Sequence, residues 1–334
     1  MSQLTKIHIG TPCYGGQCFN TYVSSLLETM QYIKEHNLPI CLKIQFLTNE
    51  SLITRGRNVI VAKFLADKEA THLLFIDADV SWHPSVLDKL LKANVDVIGG
   101  IYPKKTYKWQ KLAKIIPDLV KITDEKTLEI KTIDERVEGF IKANLMDYAM
   151  NYSDNTKIEN NLLEVEYIGT GFMLIKREVL LKMCNMFPQY KFEDDINILT
   201  AEENKFLYSL FDCEISLQID GKQHYLSEDY LFCKRLRSLG GKIYAEVTSV
   251  LTHTGTHSFQ GNYLASLRLG PERICILDSS IIQNQPQHSV FVDKSSRVKK
   301  YRKTESRIES YAIFFMQFVI LLILLLIYKL FAAL

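Results

Sequence analysis

The chain has 334 residues, of which 47% are hydrophobic and 23% charged, with a net charge of +2. That length suits one large α/β domain or two modest ones, and the composition excludes wholesale disorder. The near-neutral balance argues against a dedicated nucleic-acid binder.

In chain order, residues 6–9 predict a short first strand. Thr11-Pro12-Cys13-Tyr14-Gly15-Gly16 follows as a loop rich in breakers. Apolar spacing predicts helices over 20–35 and 52–67, with a strand over 40–47 between them. A strand over 73–76, a helix over 84–93 and a strand over 95–98 come next. This alternation predicts an α/β fold with a doubly wound, mostly parallel sheet flanked by helices. From 104 to 164 the pattern loosens into dense charge, and 105–164 reads as a variable insertion. Strand character returns over 164–175, then a helix over 177–186 and an acidic loop or lid over 193–204. A helix over 227–239 ends at Gly240-Gly241, a good stop signal, and 242–246 and 249–251 read as closing strands.

Two further features concern location. Residues 312–328 are almost wholly apolar, broken only by Gln317, and about 17 residues is the lower limit for crossing a bilayer. The run Lys294-Ser295-Ser296-Arg297-Val298-Lys299-Lys300-Tyr301-Arg302-Lys303 supplies a basic flank suited to anionic lipid. The alternative is a buried terminal helix or an oligomer contact. The expected organisation is a catalytic domain over 1–265, a basic linker over 266–311 and a transmembrane helix over 312–330. The start of the chain lacks the long apolar core of a secretory signal, so the expectation is a single-pass C-terminal anchor with the catalytic domain facing the cytosol. Seven scattered cysteines without a Cys-x-x-Cys pair fit reduced thiols rather than a zinc site.

The chemistry concentrates at Thr71-His72-Leu73-Leu74-Phe75-Ile76-Asp77-Ala78-Asp79-Val80. A continuous apolar run reads as a strand buried on both faces, which sets Asp77 and Asp79 at its carboxyl end, where open α/β sheets bind ligands. Adjacent carboxylates repel unless a cation sits between them, and hard oxygen ligands suit Mg²⁺ or Mn²⁺, which would also hold a diphosphate. A solvated turn would show the same two acids.

Asp77-Ala78-Asp79 resembles the Asp-x-Asp motif of the GT-A glycosyltransferases, in particular family-2-like enzymes of the kind found in bacteria, phages and large viruses. Ile53-Thr54-Arg55-Gly56-Arg57-Asn58 resembles their Arg-Asn segment, Tyr167-Ile168-Gly169-Thr170-Gly171-Phe172 their Gly-rich strand, and Ser227-Glu228-Asp229 their acidic pair; Thr252-His253-Thr254-Gly255-Thr256-His257 supplies a late histidine. These pieces follow the family's order across about 6–259.

The resemblance implies a metal-dependent, inverting transfer of a sugar from a nucleotide-diphosphate donor, UDP- or GDP-linked, to a hydroxyl acceptor on a glycan, glycoprotein or glycolipid. It implies Asp229 as catalytic base, with Glu228 as the alternative. Donor binding would fall to Thr11, Pro12, Tyr14, Arg55, Arg57, Asn58, Asp77, Ala78, Asp79, Lys104, Gly169 and Gly171. Mn²⁺ or Mg²⁺ would be held by Asp77, Asp79 and His253, with His257 the alternative histidine. The 105–164 insertion would shape the acceptor side. The partners expected are the nucleotide-sugar, the carbohydrate acceptor and a membrane, and no nucleic acid. A nucleotidyltransferase or phosphotransferase using the same acids, or a membrane-tethered carbohydrate-binding protein without turnover, are the rival readings. The first lacks a Gly-x-x-x-x-Gly-Lys-Ser/Thr loop.

Overall fold

The computed structural model describes residues 4–113, 135–152, 156–217, 221–267 and 275–276. Contacts divide the chain into Met1–Val290 and Phe291–Leu334, and every described residue belongs to the first unit. The expected anchor at 312–330 and most of the basic linker lie outside the described residues. Among those described, no helix is long and apolar enough to cross a membrane.

The first half largely alternates: β1 (Thr5–Cys13), α1 (Asn20–Glu35), β2 (Ile40–Thr48), α2 (Ile53–Ala66), β3 (His72–Ile76), β4 (Val80–Trp82), α3 (Ser85–Ala93), β5 (Val97–Gly100) and β6 (Pro103–Tyr107). Then come α4 (Glu135–Leu145), β7 (Met146–Tyr148), β8 (Met150–Asn151), β9 (Lys157–Glu159), β10 (Leu162–Val165), β11 (Tyr167–Ile168), β12 (Phe172–Lys176), α5 (Arg177–Met186) and α6 (Ala201–Asn204). The chain closes with β13 (Glu214–Leu217), β14 (Gln223–Leu226), α7 (Glu228–Ser238), β15 (Ile243–Glu246), β16 (Leu251–Thr254), β17 (Ser258–Gln260), α8 (Tyr263–Ser266) and β18 (Cys275–Ile276).

Nine strands form the central sheet in the order β18-β9-β10-β15-β5-β12-β3-β1-β2. Only β12 and β10 run against the rest, so the sheet is mostly parallel, as the alternation of strands and helices predicts. The period of two along a strand sends alternate side chains to opposite faces. Leu73 and Phe75 of β3 enter the layer under α2, α5 and α7, whereas Leu74 and Ile76 enter the layer under α1 and α3. The acids after Ile76 therefore leave a strand buried on both faces.

Several elements differ from the sequence reading. β1 continues through the breaker-rich Thr11-Pro12-Cys13 because β2 pairs it as far as Cys13↔Thr48. Pairing of β1 with β3 ends at Gly10↔Phe75, so Pro12 is flanked by β2 alone, a setting that tolerates proline. The single strand expected over 164–175 is three strands, broken at Gly169-Thr170-Gly171. The expected insertion is partly woven into the fold: β9 and β10 join the central sheet, and β6 pairs with β7. Part of the acidic loop is helical, as α6, opened by a capping box in which Thr200 and Glu203 bond each other's backbone amides. The hairpin β13–β14 had no counterpart in the sequence reading.

Candidate active site at the carboxyl end of the central strands

The site begins where β3 ends. The Asp77 amide donates to Gly171 O at 3.0 Å, extending the β3–β12 pairing by one residue, and Val80 N–H donates back to Asp77 O at 3.0 Å to close the turn. Ala78 contributes its carbonyl, which accepts from the Phe19 amide at 2.9 Å and so fastens the loop after β1 to the acidic turn. Asp79 O accepts from the Thr254 amide at 2.8 Å, which holds the end of β16 beside the same turn.

Arg57, buried in the middle of α2, is the centre of the arrangement. Its Nη2 donates to Asp77 Oδ1 at 3.0 Å and its Nε to Glu228 Oε1 at 3.1 Å, with the guanidinium over the Phe75 ring. Burial alone would lower the arginine pKa, but the charges of Asp77 and Glu228 hold it raised, so the guanidinium stays charged. Nη1 is buried and has no hydrogen-bond partner. Asn58, next on the helix, is also buried: it donates to Phe211 O at 2.8 Å and accepts from Phe211 N–H at 3.0 Å, latching α2 to the segment before β13. Arg55 turns the other way and makes a two-pronged pair with Glu50 at 2.6 and 3.0 Å. The Arg-Asn segment thus contributes one residue, Arg57, to the acids, and 3.6-residue periodicity points its neighbours elsewhere.

Asp79 faces a second group. Its Oδ2 pairs with the ammonium of Lys105, and its Oδ1 stands 3.3 Å from His253 Nε2. His253 Nδ1 lies 2.9 Å from Pro103 O, an atom that only accepts, so Nδ1 carries the hydrogen and Nε2 is turned to Asp79. Burial would raise the Asp79 carboxyl, but the contacts from His253 and Lys105 hold it below the usual carboxylate range. Lys104 is exposed on the neighbouring position of β6; consecutive residues of a strand face opposite ways, so only one of the two lysines reaches Asp79, and it is Lys105. His257 is exposed and packs its ring against Tyr107 and Phe259, with centroids 6.1 and 5.1 Å away.

The acidic pair opens α7. Ser227 precedes the helix but makes no side-chain cap bond; its hydroxyl donates to Asp229 Oδ1 instead. The Tyr230 amide donates to the same oxygen at 2.8 Å. Burial, reinforced by the neighbouring Glu228 charge, raises the Asp229 carboxyl above its ordinary value. Glu228 pairs with Arg57 and Asp229 does not, so the two adjacent acids have different environments.

Tyr102 lies between these groups, and sequence reasoning passed over it. Its hydroxyl accepts the Gly171 amide at 3.1 Å, and its ring meets His253 edge-on at 5.3 Å. Burial, then the charges of Asp77 and Asp229, raise the phenol far above its ordinary value, so it stays neutral. Here the glycines of the Gly-rich strand find their reason. A Cβ on Gly171 would stand 2.6 Å from Tyr102 Cζ, and one on Gly169 would collide with the Tyr102 hydroxyl. They make room for an aromatic ring of the protein itself. Tyr102 stands directly before Pro103, the one local signal that could have marked it, since proline holds the preceding residue extended.

Of the first-loop residues, Thr11 is buried and bonds the Tyr22 hydroxyl at 2.7 Å, Pro12 is half-buried, and Tyr14 is 78% exposed in a one-turn helix, Tyr14–Gly16, whose Gly15 and Gly16 take φ of 69° and 71°.

The metal expectation can be tested on the donor set. Among the described residues, no group of three or more His, Cys, Asp or Glu could by itself hold a metal ion. Arg57 engages Asp77 Oδ1, and the His257 ring packs on its aromatic neighbours, which sets both apart from the closest acid–imidazole pair. What remains is a carboxylate oxygen and an imidazole Nε2, 3.3 Å apart, with the imidazole oriented through Nδ1 as metal-binding histidines are. The pair fits a hard cation that takes its other ligands from phosphate oxygens and water. A separate cavity of ≈ 980 Å³, bordered by Lys89, Lys157, Asn161, Arg237 and Lys242, contains none of these acids.

The architecture is that of a mixed α/β domain with its candidate site at the carboxyl end of β3, where open α/β sheets bind ligands. No protein-family model and no curated protein matches the chain. Among solved structures, it is similar to A197 from STIV, with a TM-score of 0.38 and 16% identity over 75% of this chain and 86% of that one. It is also similar to S. aureus TarS, with a TM-score of 0.32 and 14% identity over 72% of this chain and 35% of TarS. For TarS 1-349 the TM-score is 0.28 and the identity 14%, over 62% of this chain and 54% of that one. The chain thus spans about a third of the longer TarS chain and about half of the shorter.

Proposed function

We propose that the chain is a metal-dependent, inverting glycosyltransferase that moves a sugar from a nucleotide-diphosphate donor to a hydroxyl on a glycan, glycoprotein or glycolipid, attached to a membrane through residues 312–330. The observation that carries the reading is the double ion pair of Arg57, which joins the Asp-x-Asp turn at Asp77 to the acidic pair at Glu228 across one guanidinium. A donor-side group and a group suited to proton transfer thereby share one site.

Asp229 is assigned as the base. In a single displacement the acceptor oxygen forms a bond to the sugar carbon as the bond from that carbon to the diphosphate oxygen breaks, and the hydroxyl proton passes to Asp229. Ser227 and the Tyr230 amide both use Oδ1, so Oδ2 is the oxygen that takes the proton. The raised Asp229 pKa makes it a better proton acceptor than an ordinary aspartate, while Glu228 is taken up by its pair with Arg57. Asp79 and His253 would hold Mn²⁺ or Mg²⁺, and Lewis-acid neutralisation of the departing diphosphate is the chemistry such an ion supplies. Exposed Tyr14, at the loop fastened to Ala78 through Phe19, is placed to stack on the base of a UDP- or GDP-linked donor.

The test is a binding and turnover panel. Full-length chain with UDP-, GDP- and CMP-linked sugars and Mn²⁺ is expected to give a thermal shift with one nucleotide class and slow hydrolysis of its sugar. Neither binding nor hydrolysis with any donor would refute the reading.

A further inference from the structure

The carboxylate assigned to the metal already has a cation, contributed by its own chain. The Lys105 ammonium pairs with Asp79 Oδ2, and His253 covers Oδ1 at 3.3 Å. The lysine's route to Asp79 is prepared. β6, which carries Lys105, is bonded to His253 through Pro103 O at 2.9 Å, so the lysine and the imidazole reach the aspartate from connected strands. Gly255 lies beside the stem: a Cβ there would stand 3.2 Å from Lys105 Cδ and 3.8 Å from its Nζ, so glycine leaves the lysine room to pass. The Lys105 side chain is about one-third exposed and its stem is flexible, so the ammonium can leave Asp79 without disturbing the core.

We infer that Lys105 is an internal competitor of the divalent cation. It neutralises Asp79 while the metal position is free and leaves Asp79 when a cation arrives, which keeps metal affinity low until a diphosphate adds its own oxygens. The inference rests on the metal-dependent reading above and adds a residue that tunes it. A tethered ammonium competes at high effective concentration, yet a partly exposed pair of this kind is weak, so the competition is modest and readily overcome.

The measurement is Mn²⁺ affinity in the absence of any nucleotide, by electron paramagnetic resonance of free Mn²⁺ and by calorimetry on the full chain. Lys105→Met is expected to bind Mn²⁺ about two- to fivefold more tightly than the parent, the range for loss of a weak competing ion pair. Lys105→Arg, which keeps a cation there, is expected to stay near the parent value. Asp79→Ala in either background is expected to abolish the binding. If Lys105→Met binds no more tightly than the parent, or Lys105→Arg tightens it as much as Lys105→Met, the competitor role is overturned and the metal reading stands. If neither parent nor Lys105→Met binds Mn²⁺ in an Asp79-dependent way, both fall.

Discussion

Arg57 and Glu228 lie 171 positions apart in the chain, and the Arg57 Nε donates to the Glu228 carboxylate at 3.1 Å. Only 4% of the Arg57 side chain and 13% of the Glu228 side chain reach solvent. Removing the arginine would leave Asp77 and Glu228 facing each other without compensation. Arg57→Ala is expected to lower stability by about 3–5 kcal/mol, the cost of orphaning one side of a buried pair. Arg57→Lys is expected to recover part of that loss and little activity, since an ammonium cannot bridge two carboxylates as a fork does. Urea unfolding of the three chains measures the first, donor hydrolysis the second.

If Asp229 takes the acceptor proton, Asp229→Asn should reduce kcat/KM about 10²–10⁴-fold. Donor binding and the melting temperature should stay close to parent values. The acid limb of the kcat/KM profile should fall as pH drops through the carboxyl's pKa, which burial and Glu228 raise above the ordinary value near 3.9. A limb that survives in the Asn variant would assign it to another group.

Mn²⁺ should stabilise the parent against heat, and EDTA should remove both that gain and the transfer activity. His253→Ala removes an imidazole assigned to the cation and is expected to weaken Mn²⁺ by at least about tenfold, a loss that even an outer-shell change reaches. The readout is a Mn²⁺ titration with a fixed concentration of nucleotide diphosphate. An unchanged midpoint would detach the histidine from the cation.

Gly171→Ala introduces a Cβ 2.6 Å from Tyr102 Cζ, in the packed space below the acidic turn. Overpacking of this kind costs about 1–3 kcal/mol. Pairing with Tyr102→Leu, which empties the contested space, should return some of that loss, a coupling visible in a double-mutant cycle by thermal unfolding.

His8 sets a stability slope unrelated to the site. It is buried on β1, its Nε2 is 2.6 Å from Gln45 Oε1, and burial lowers its pKa from 6.5 to about 4. Below pH 6.5 the unfolded chain takes up a proton that the folded chain refuses, so stability falls as pH drops from 6.5 towards 4. The full effect is roughly 3 kcal/mol. His8→Gln should flatten that slope in unfolding midpoints measured from pH 7 to 4.5; an unchanged slope would place the titration elsewhere.

Much of the frame was legible in the sequence because its cause is local. The two-sided apolar run Leu73-Leu74-Phe75-Ile76 could be little else than a central strand, and helices over α1, α2, α3 and α5 follow from spaced apolar residues. The positions of Asp77 and Asp79 at a strand's carboxyl end, and of Glu228 and Asp229 in the first turn of a helix, needed no contact information either.

What the sequence left open was the partner of each charge. Nothing local distinguishes Arg55, paired with Glu50, from Arg57, paired with Asp77 and Glu228, or exposed Lys104 from Lys105 on Asp79. Nothing local in Gly169-Thr170-Gly171 showed that Tyr102 fills the space its glycines leave. Chain-local order is written by periodicity, which acts over a few residues. The choice among similar side chains is made by electrostatics and packing between segments that meet only when the sheet has formed.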